Sequence, residues 1–412
     1  MMTSAVLSKI EENQSFAATE NSSFTNEILN GGVEIIAQIF DEWSELCEKG
    51  GCNEASLRPE WFLAFVKSFK LKASIIVVRR GEKLKAVLPL VLKRESFFGL
   101  PVLKLAAIAN NHTLHFDLIH DGDESEKAEI IAQIWQAIKT VKGFDLLEIR
   151  LAYKNGWLND LLEIAKSERY LIQKLDASNS PFVTLPQSID KEQLIESYFK
   201  GLTQNRRKLL NRNLRNLNNA GNVEFTLTRG YSEELMANYF ALEESGWKGR
   251  EKSFVGSEQH EVEFYQEFAR LTAKNNALFI HELKCDGELV AMYLSIQYGK
   301  RTIGWKMSYN EKYNNFSPGN LIFKEVLSRC MRDGSTELDM TPPPTYFKSL
   351  WASGEHESAD FYIFNKSLRG KFLKLWLVEL VGRIRELENV SPDEKNKIKL
   401  VAAKIIKRIK KR

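Results

Sequence analysis

The chain has 412 residues, of which 43% are apolar, 27% charged and 11% aromatic. This composition is that of a globular protein with a sizeable core, and it excludes wholesale disorder, a collagenous chain and a small disulfide scaffold. The length indicates two or three domains. No run of about 18 uncharged apolar residues occurs, so we expect no transmembrane helix. We also expect no secretory signal, because the N-terminus lacks an apolar core and a cleavage site.

The net charge of +4 is unevenly distributed. Residues 391–412 carry nine Lys or Arg against two acids, a net charge of +7, which leaves −3 for the other 390 residues. The body of the protein is therefore not predicted to bind DNA. Four apolar residues of the tail, Ile398, Val401, Ile405 and Ile409, share one helical face with lysines opposite. The tail is a candidate amphipathic helix, for an anionic membrane surface or for docking on the body.

Four cysteines in a chain of this length show neither disulfide-framework nor zinc-site spacing. We therefore expect reduced thiols and a cytoplasmic protein, with peripheral contact to the inner membrane through the tail as an option.

The first half of the chain alternates helical and strand patterns after a polar segment. Residues 1–30 are rich in Ser, Asn, Thr and Glu, which predicts a mobile leader. Apolar residues then recur at helical or strand spacing. The predicted elements are helices at 35–46, from 59 onward and at 127–141, and strands at 74–78, 84–92, 102–109, 116–119 and 146–151. Their order favours a mixed α/β layer.

The second half repeats this theme. A predicted hairpin at 278–298 resembles the one at 74–92, because both have a Gly-Glu turn and a return strand with an alanine. Gly81 and Gly287 are 206 residues apart, half the chain, which indicates two similar domains, although two unrelated hairpins would give the same match. We predict a leader at 1–30, domains at 31–185 and 186–368, and a helical segment with the basic tail at 369–412.

The most informative stretch follows a strand predicted at 303–309. Ser317-Pro318-Gly319-Asn320 opens a helix that continues from Leu321. Ser317 is a candidate cap, Pro318 suits a first helical turn, and Gly319 lets a ligand approach the backbone. A helix N-terminus binds phosphate groups readily. These five residues are therefore a candidate cofactor site, with a plain capped helix start as the alternative.

Several motifs occur in order around this helix start. They are Asn205-Arg206-Arg207-Lys208, Leu242-Glu243-x-x-Gly246-Trp247-Lys248-Gly249, Trp305-Lys306-x-x-Tyr309, Ser317-Pro318-Gly319-x-Leu321, Gly334 with Asp339, and Tyr346-x-Lys348-x-x-Trp351. Together they resemble the CelD/BcsL-like (cellulose biosynthesis) acetyltransferase family. That family belongs to the GNAT superfamily and is related to the FemABX aminoacyltransferases. The resemblance covers residues 190–355 well and the N-terminal half loosely.

The resemblance implies an α/β fold of tandem GNAT-like domains with mixed sheets. It also implies an enzyme that moves an acyl group, acetyl in the family, from acyl-CoA to an amine or hydroxyl of a sugar, polysaccharide or envelope precursor. No permanently bound cofactor is implied. The usual GNAT phosphate loop, Arg/Gln-x-x-Gly-x-Gly/Ala, is absent, so the helix start at Ser317 has to bind the donor. The donor stays open, because FemABX relatives use aminoacyl-tRNA.

The basic helix around Arg206 and Arg207 carries no acid between Lys200 and Val223. It is a solvated face, or it binds phosphates of CoA, an anionic glycan precursor or tRNA. The lack of interleaved aromatics argues against single-stranded RNA.

Acyl transfer needs a base, donors for the oxyanion and an acid for the leaving thiolate, but no metal. Candidate bases are Glu243 or Glu244 and Asp339, and Tyr309 or Tyr313 is the candidate acid. Lys306 is a candidate for the oxyanion or for an acceptor anion. The candidate acceptor pocket consists of Trp247, Lys248, Tyr346, Lys348 and Trp351. For each candidate residue named here, a purely structural role in the core or on the surface is the alternative. His112 and His115 fall on opposite faces of a strand, so we expect no metal site.

Three functions remain open: a CoA-dependent acyltransferase, a FemABX-like aminoacyltransferase that uses aminoacyl-tRNA, and a non-catalytic binding protein of a polysaccharide-synthesis system. No coiled-coil insertion of the FemABX kind lies between Trp247 and Leu278, which favours the first.

Overall fold

Two mixed β-sheets covered by helices organise the chain. The computed structural model describes residues 23–97, 99–109, 113–252 and 254–388, with side chains described up to Val378. The first sheet has the strand order β1-β2-β3-β4-β6-β15-β7, with β5 beside β3, and the second has the order β9-β10-β11-β12-β13-β8-β14. The predicted α/β fold with mixed sheets is confirmed.

The strands have the following bounds: β1 Phe24–Gly31, β2 Ala73–Arg80, β3 Lys83–Phe97, β4 Leu100–Ala107, β5 Ile119–His120, β6 Leu146–Tyr153, β7 Leu171–Asp176, β8 Ser180–Thr184, β9 Val223–Arg229, β10 Leu278–Cys285, β11 Glu288–Tyr298, β12 Arg301–Tyr309, β13 Glu337–Asp339, β14 Gly354–His356 and β15 Ser358–Phe364.

The helices have the following bounds: α1 Val33–Lys49, α2 Pro59–Ser68, α3 Lys127–Thr140, α4 Leu158–Ser167, α5 Lys191–Gly201, α6 Gln204–Ala220, α7 Glu233–Ser245, α8 Trp247–Arg250, α9 Gln259–Lys274, α10 Pro318–Arg332, α11 Tyr346–Trp351 and α12 Leu368–Glu388. None of these helices is long and apolar enough to cross a membrane.

The two sheets repeat one topology. Each begins with an antiparallel meander of four strands, β1–β4 or β9–β12, and then adds one parallel strand through a crossover helix. The crossover helix is α3 between β4 and β6, and α10 between β12 and β13. The match between the hairpins around Gly81 and Gly287 therefore reflects equivalent strands, β2–β3 and β10–β11.

The last strands of the two sheets are exchanged between the halves of the chain. After β7 joins the first sheet, β8 crosses to the second and pairs with β13 and β14. After β14 joins the second sheet, β15 crosses back and pairs with β6 and β7. The predicted boundary at residue 185 therefore does not separate the sheets, since strands from each predicted domain complete the other. Local patterning could not show this exchange, because pairing partners lie far apart in sequence.

Aromatic packing joins the two halves into one core. Trp61 of α2 meets Phe264 and Phe268 of α9 edge-on, with ring centroids 4.8 and 5.0 Å apart. Phe268 in turn contacts Trp305 of β12 at 5.2 Å. All four side chains are buried. Apolar residues that repeat on one face of α2 and of α9 thus fix the second-half strand β12 against the first half.

One sequence prediction needs correction, two elements were missed, and two segments stay untested. The leader predicted over 1–30 is wrong for residues 24–30, because β1 pairs with β2 along its whole length. Helix α4 and strand β7 were not predicted, since their short apolar patterns follow polar stretches. Residues 1–22 and the tail at 391–412 lie outside the described residues, so those parts of the prediction stay predictions.

The parallel pair in each sheet is short. Residues 104–106 pair with 146–148 in the first sheet, and 301–303 pair with 337–339 in the second. Beyond these three residues the strands of each pair stop pairing, which leaves a gap in the sheet.

The gap in the first sheet is filled by the chain itself. Phe116, which is fully buried, forms a parallel bridge to Ala152. Its N–H donates to the Leu151 carbonyl at 3.0 Å, and its carbonyl accepts from the Tyr153 N–H at 3.2 Å. The segment around Phe116 therefore continues the sheet where β4 has left it.

Candidate active site

The gap in the second sheet opens into a cleft of about 640 Å³. One wall is β12 from Gly304 to Tyr309, and the other is the segment from Met340 to Pro343 that follows β13. The N-terminal turn of α10, at Ser317, closes one end. Because β13 pairs with β12 only over 301–303, the backbone of β12 beyond Ile303 presents an open strand edge to the cleft.

A β-bulge shapes the wall formed by β12. Leu294 of β11 pairs with Lys306, but the next residue, Ser295, pairs with Gly304, so Trp305 is the extra residue. Trp305 stacks on the buried Tyr265 of α9 at 4.9 Å. A bulge re-aims the side chains around it, and here Lys306 follows Trp305 towards α9, with its ammonium 5.2 Å from the Tyr265 ring centroid.

Gly304 lies at the root of the cleft, where the sheet has no room for a side chain. A Cβ atom there would lie 1.9 Å from the Tyr293 hydroxyl oxygen. Glycine within a strand commonly marks such a close approach, and this signal in the sequence was missed.

The α10 end of the cleft is lined by backbone and apolar groups. Ser317 precedes the helix in the left-handed conformation, with φ 50°, and its side chain makes no capping hydrogen bond, so the predicted cap is wrong. Its carbonyl instead accepts from the Asn320 N–H at 2.9 Å. Among the described residues no group accepts from the Gly319 N–H. A Cβ on Gly319 would meet only Met307 and Tyr309, at 3.5 Å or more.

The opposite side of β12 carries charged groups. Glu243 is 1% exposed and accepts from the Tyr239 hydroxyl at 3.1 Å, from the Val255 N–H at 2.8 Å and from the Lys248 ammonium. Burial opposes ionisation, but the charges of Lys248 and Lys306 and these hydrogen bonds hold its pKa below the usual range. Glu243 is therefore ionised with its acceptor sites occupied, which makes it a poor base. Glu244 beside it is exposed.

Lys306 differs from its neighbours because its ammonium has no hydrogen bond or ion pair to any described residue. Burial lowers its pKa from 10.5 to about 8, against the attraction of Glu243 and with the repulsion of Lys248. An unpaired lysine with such a pKa exists in both protonation states near neutral pH.

Lys348 enters the cleft from the other wall. Its ammonium donates to the carbonyls of Thr341 at 2.6 Å and Pro343 at 3.0 Å. Burial lowers its pKa to about 8, with Asp339 opposing and Lys306 adding to the effect. Three lysines, Lys248, Lys306 and Lys348, thus line the cleft against two carboxylates, Glu243 and Glu311. Glu311 is already paired with Arg250, which leaves the cleft with an excess of positive charge.

Asp339 does not line the cleft, although it was predicted as a base. It is 2% exposed and accepts from the Ser180 hydroxyl, the Arg301 guanidinium and, at 2.7 Å, the Thr341 N–H. Burial opposes its ionisation, but His115 and Arg301 outweigh it and hold the pKa of Asp339 well below its usual range. The carboxylate therefore has a structural role, which we call the brace of the cleft wall. Its hydrogen bond holds Thr341 in the left-handed conformation, with φ 64°, at which the chain changes direction along the wall.

Both exchanged strands contribute to this brace. Ser180 of β8 donates to Asp339, and Ser358 of β15 contacts Nδ1 of His115 at 3.0 Å. His115 is fully buried with its Nε2 3.6 Å from an Asp339 oxygen. The first half of the chain thereby reaches the wall of the cleft in the second half. Asp117, two residues on, caps α4 by accepting the Leu158 N–H at 3.1 Å, and His112 lies outside the described residues.

Glu337, Asp339 and His356 each bring one potential metal ligand within 4.8 Å of the others. Arg301 already occupies this cluster, with its Nε 3.1 Å from Glu337 and its terminal nitrogen on Asp339. A guanidinium supplies the positive charge that the buried Asp339 and the partly buried Glu337 need, so the cluster is accounted for as an ion-pair network.

The remaining predicted residues divide into two groups. Tyr309, Ser317, Pro318, Gly319, Asn320, Trp247, Lys248, Lys306, Lys348 and Glu243 line the cleft. Five others do not: Leu321 is a core residue, Tyr346 is 82% exposed outside it, Arg207 lines a separate cleft of about 420 Å³ beside α5, and Trp351 and Arg206 stack on each other.

The stacked pair supports α10 from behind. The Arg206 guanidinium carbon lies 3.7 Å from the Trp351 ring centroid, and Trp351 Nε1 donates to Asn320 at 3.1 Å. Arg206, which also donates to the Leu350 carbonyl, therefore supports the helix start through Trp351. Glu311, which was not predicted, accepts from the Trp247 N–H at 2.9 Å and pairs with Arg250.

Comparison with known proteins agrees with this geometry. The family model described as an acetyltransferase (GNAT) domain matches residues 204–349, which contain the whole cleft. The structure is similar to that of FemX, with a TM-score of 0.56 at 11% identity over 84% of this chain and 100% of that one. A conserved protein of unknown function from Bacteroides thetaiotaomicron gives a TM-score of 0.51 at 12% identity over 82% and 99%. No curated protein matches in sequence.

The fold is thus shared with known structures, and residues 204–349 form a GNAT acyltransferase domain. Through this domain the protein is an enzyme, an acyltransferase. The predicted relation to the GNAT superfamily is confirmed for residues 204–349.

Proposed function

We propose that the protein transfers an acyl group, acetyl in the first instance, from acyl-CoA to an amine or hydroxyl of a sugar, polysaccharide or envelope precursor. The observation that carries this proposal is the cleft itself, where an open strand edge, a free helix N-terminus and the unpaired Lys306 meet. The CelD/BcsL-like branch of the superfamily is the proposed placement, on the motifs described above.

The donor is proposed to lie along the α10 side of β12. The open edge of β12 beyond Ile303 suits the amide groups of pantetheine, which can pair with it as an added strand would. The unpartnered N–H of Gly319 and the positive end of α10 suit the pyrophosphate. The excess of lysines in the cleft also favours an anionic donor.

The acceptor is proposed to enter on the other side, between Trp247 and Lys306. Neutral Lys306 takes the proton as the acceptor nitrogen or oxygen bonds to the thioester carbonyl carbon. The protonated Lys306 and the N–H groups of the β12 edge stabilise the resulting oxyanion. The carbon–sulfur bond then breaks, Tyr309 protonates the thiolate, and solvent restores both side chains. We infer base function for Lys306 because Glu243 and Asp339 have their acceptor sites occupied.

One active site per chain is proposed. In the described part of the first sheet the segment around Phe116 covers the strand edge that is open in the second sheet, so we infer that pantetheine has no equivalent edge to pair with there. Its proposed role is to brace the cleft wall through His115 and Asp339.

Aminoacyl-tRNA is the alternative donor. The basic face of α6, which remains largely exposed, supports it, and the absence of an inserted helical arm between α8 and β10 speaks against it. A cytoplasmic location near the inner membrane, with the basic tail at 391–412 on anionic lipid, is a further proposal from the sequence.

Calorimetry with acetyl-CoA, CoA and total tRNA separates these options. We expect acetyl-CoA to bind with a stoichiometry of one per chain and tRNA not to compete. Two acetyl-CoA per chain would refute the role given to the first half. Binding of tRNA alone would establish the alternative donor, and binding of none would indicate a non-catalytic protein.

A further inference from the structure

Helix α12 exposes an unusual row of large apolar side chains. Leu368, Phe372, Leu375 and Val378 are 85%, 54%, 69% and 49% exposed, and Leu368 and Leu375 are far more exposed than most apolar residues of the chain. Their spacing of four, three and three residues places them along one side of the helix. The row is about 15 Å long at the rise of an α-helix.

The opposite side of α12 is firmly attached to the body. Leu373 and Leu377 are buried and pack with Phe97, Tyr362 and Phe364 on the first sheet. The helix is therefore fixed in place by its inner side, and the outer row is not needed for that attachment. Among the described residues, none covers this outer row.

The charged residues that α12 itself contributes beside the row have one sign, while Glu168 and Asp145 on neighbouring elements lie near Lys366 and Arg369. Lys366, Arg369, Lys371 and Lys374 lie in or beside the first turns of α12, and no acid occurs in the chain between Asp360 and Glu379. Arg369 is neutralised by Asp145 at 2.9 Å, which leaves three lysines. Lys366 and Lys371 are exposed, and Lys374 is partly exposed.

We propose that this face of α12, formed by Leu368, Phe372, Leu375 and Val378 with the flanking lysines, docks on a bilayer that contains anionic lipid. A helix with Leu and Phe on one side and lysines beside them lies in the headgroup region, where the apolar side chains reach the acyl chains and the lysines meet lipid phosphates. A second copy of the chain would bury an apolar row equally well, but it would bring two sets of lysines together without an acidic partner.

The test is flotation of the full chain with vesicles of phosphatidylglycerol and phosphatidylcholine. We expect wild-type protein to float at low salt, to release at high salt, and to ignore pure phosphatidylcholine. A triple variant, Leu368→Ser, Phe372→Ser and Leu375→Ser, should lose binding by about tenfold or more, although it keeps the basic tail. A matched triple variant at exposed apolar residues elsewhere, Ile189→Ser, Phe225→Ser and Leu227→Ser, should float like wild type.

Thermal melting of both variants verifies that they are folded. Equal flotation of the α12 variant and wild type would overturn the proposal and assign binding to the tail. Failure of wild type to float would also overturn it. A wild-type dimer in sedimentation that becomes a monomer in the α12 variant would show that a second copy is the occupant. None of these readouts depends on acyl transfer.

Discussion

Changing the charges beside Lys306 should move its pKa in opposite directions. Glu243 stabilises the protonated form and Lys248 destabilises it, while burial lowers the pKa to about 8. Glu243→Gln should therefore lower the pKa of Lys306 further, and Lys248→Met should raise it, both because of the lost charge and because Glu243 then acts unopposed.

The size of the effect follows from this pKa. With a pKa of about 8, about a tenth of Lys306 is neutral at pH 7, whereas a lysine at the ordinary 10.5 would be neutral in about 3 molecules of 10,000. Burial thus supplies roughly 300-fold more of the basic form. If Lys306 is the base, kcat/KM should rise with pH through a midpoint near the pKa of this side chain and then level off.

The assay is carbon NMR of protein labelled at the lysine ε-carbon, titrated from pH 6 to 11. Lys306→Arg assigns the resonance, and Glu244→Gln, a change at the exposed neighbour of Glu243, is the control that should leave the titration unchanged. A Lys306 midpoint near 10.5 would refute the assignment of this side chain as a buried base. So would movement of the midpoint in the same direction in both Glu243→Gln and Lys248→Met.

Three further outcomes are expected. Lys306→Met should raise the free energy of unfolding at pH 7 by up to about 3 kcal/mol, and with it the thermal midpoint, because it removes a desolvated charge. Its kcat should fall by about 10²-fold or more. A lower thermal midpoint with normal turnover would contradict this prediction. Gly319→Asp should abolish acetyl-CoA binding in calorimetry, whereas Gly319→Ala should keep it, because the Cβ has ordinary contacts and only the carboxylate opposes phosphates. Asp339→Asn should lower the free energy of unfolding by about 3–5 kcal/mol, the typical effect of breaking a buried ion pair. A variant as stable as wild type would show that Arg301 does not need the charge of Asp339.

The sequence predicted local elements well because periodicity reports which side of an element is buried. The hairpins around Gly81 and Gly287 and the helix start at Pro318 all lie where their patterns indicated. The order of motifs also placed Glu243, Lys306 and Ser317 in one site.

What the sequence did not predict depends on long-range pairing and on single-residue irregularities. Asp339 ends a strand as expected, but its side chain points to Arg301 and His115, because Leu338 between the two acids takes the core position. The position of Lys306 depends on the bulge at Trp305. The partner of β8 leaves no local signature in the amino-acid pattern, whereas the bulge is marked by Gly304 beside it, the signal that was missed.

The exchange of β8 and β15 makes the two halves of the gene product mutually dependent. A fragment cut after residue 185 would carry β8 without its partners and would lack β15, so the first sheet would be left open between β6 and β7. The complementary fragment would have the mirror defect beside β13. Each exposed strand edge is a template for wrong pairing, so neither half is expected to be stable as a separate domain. A mixture of the two fragments has the strand edges needed to reassemble.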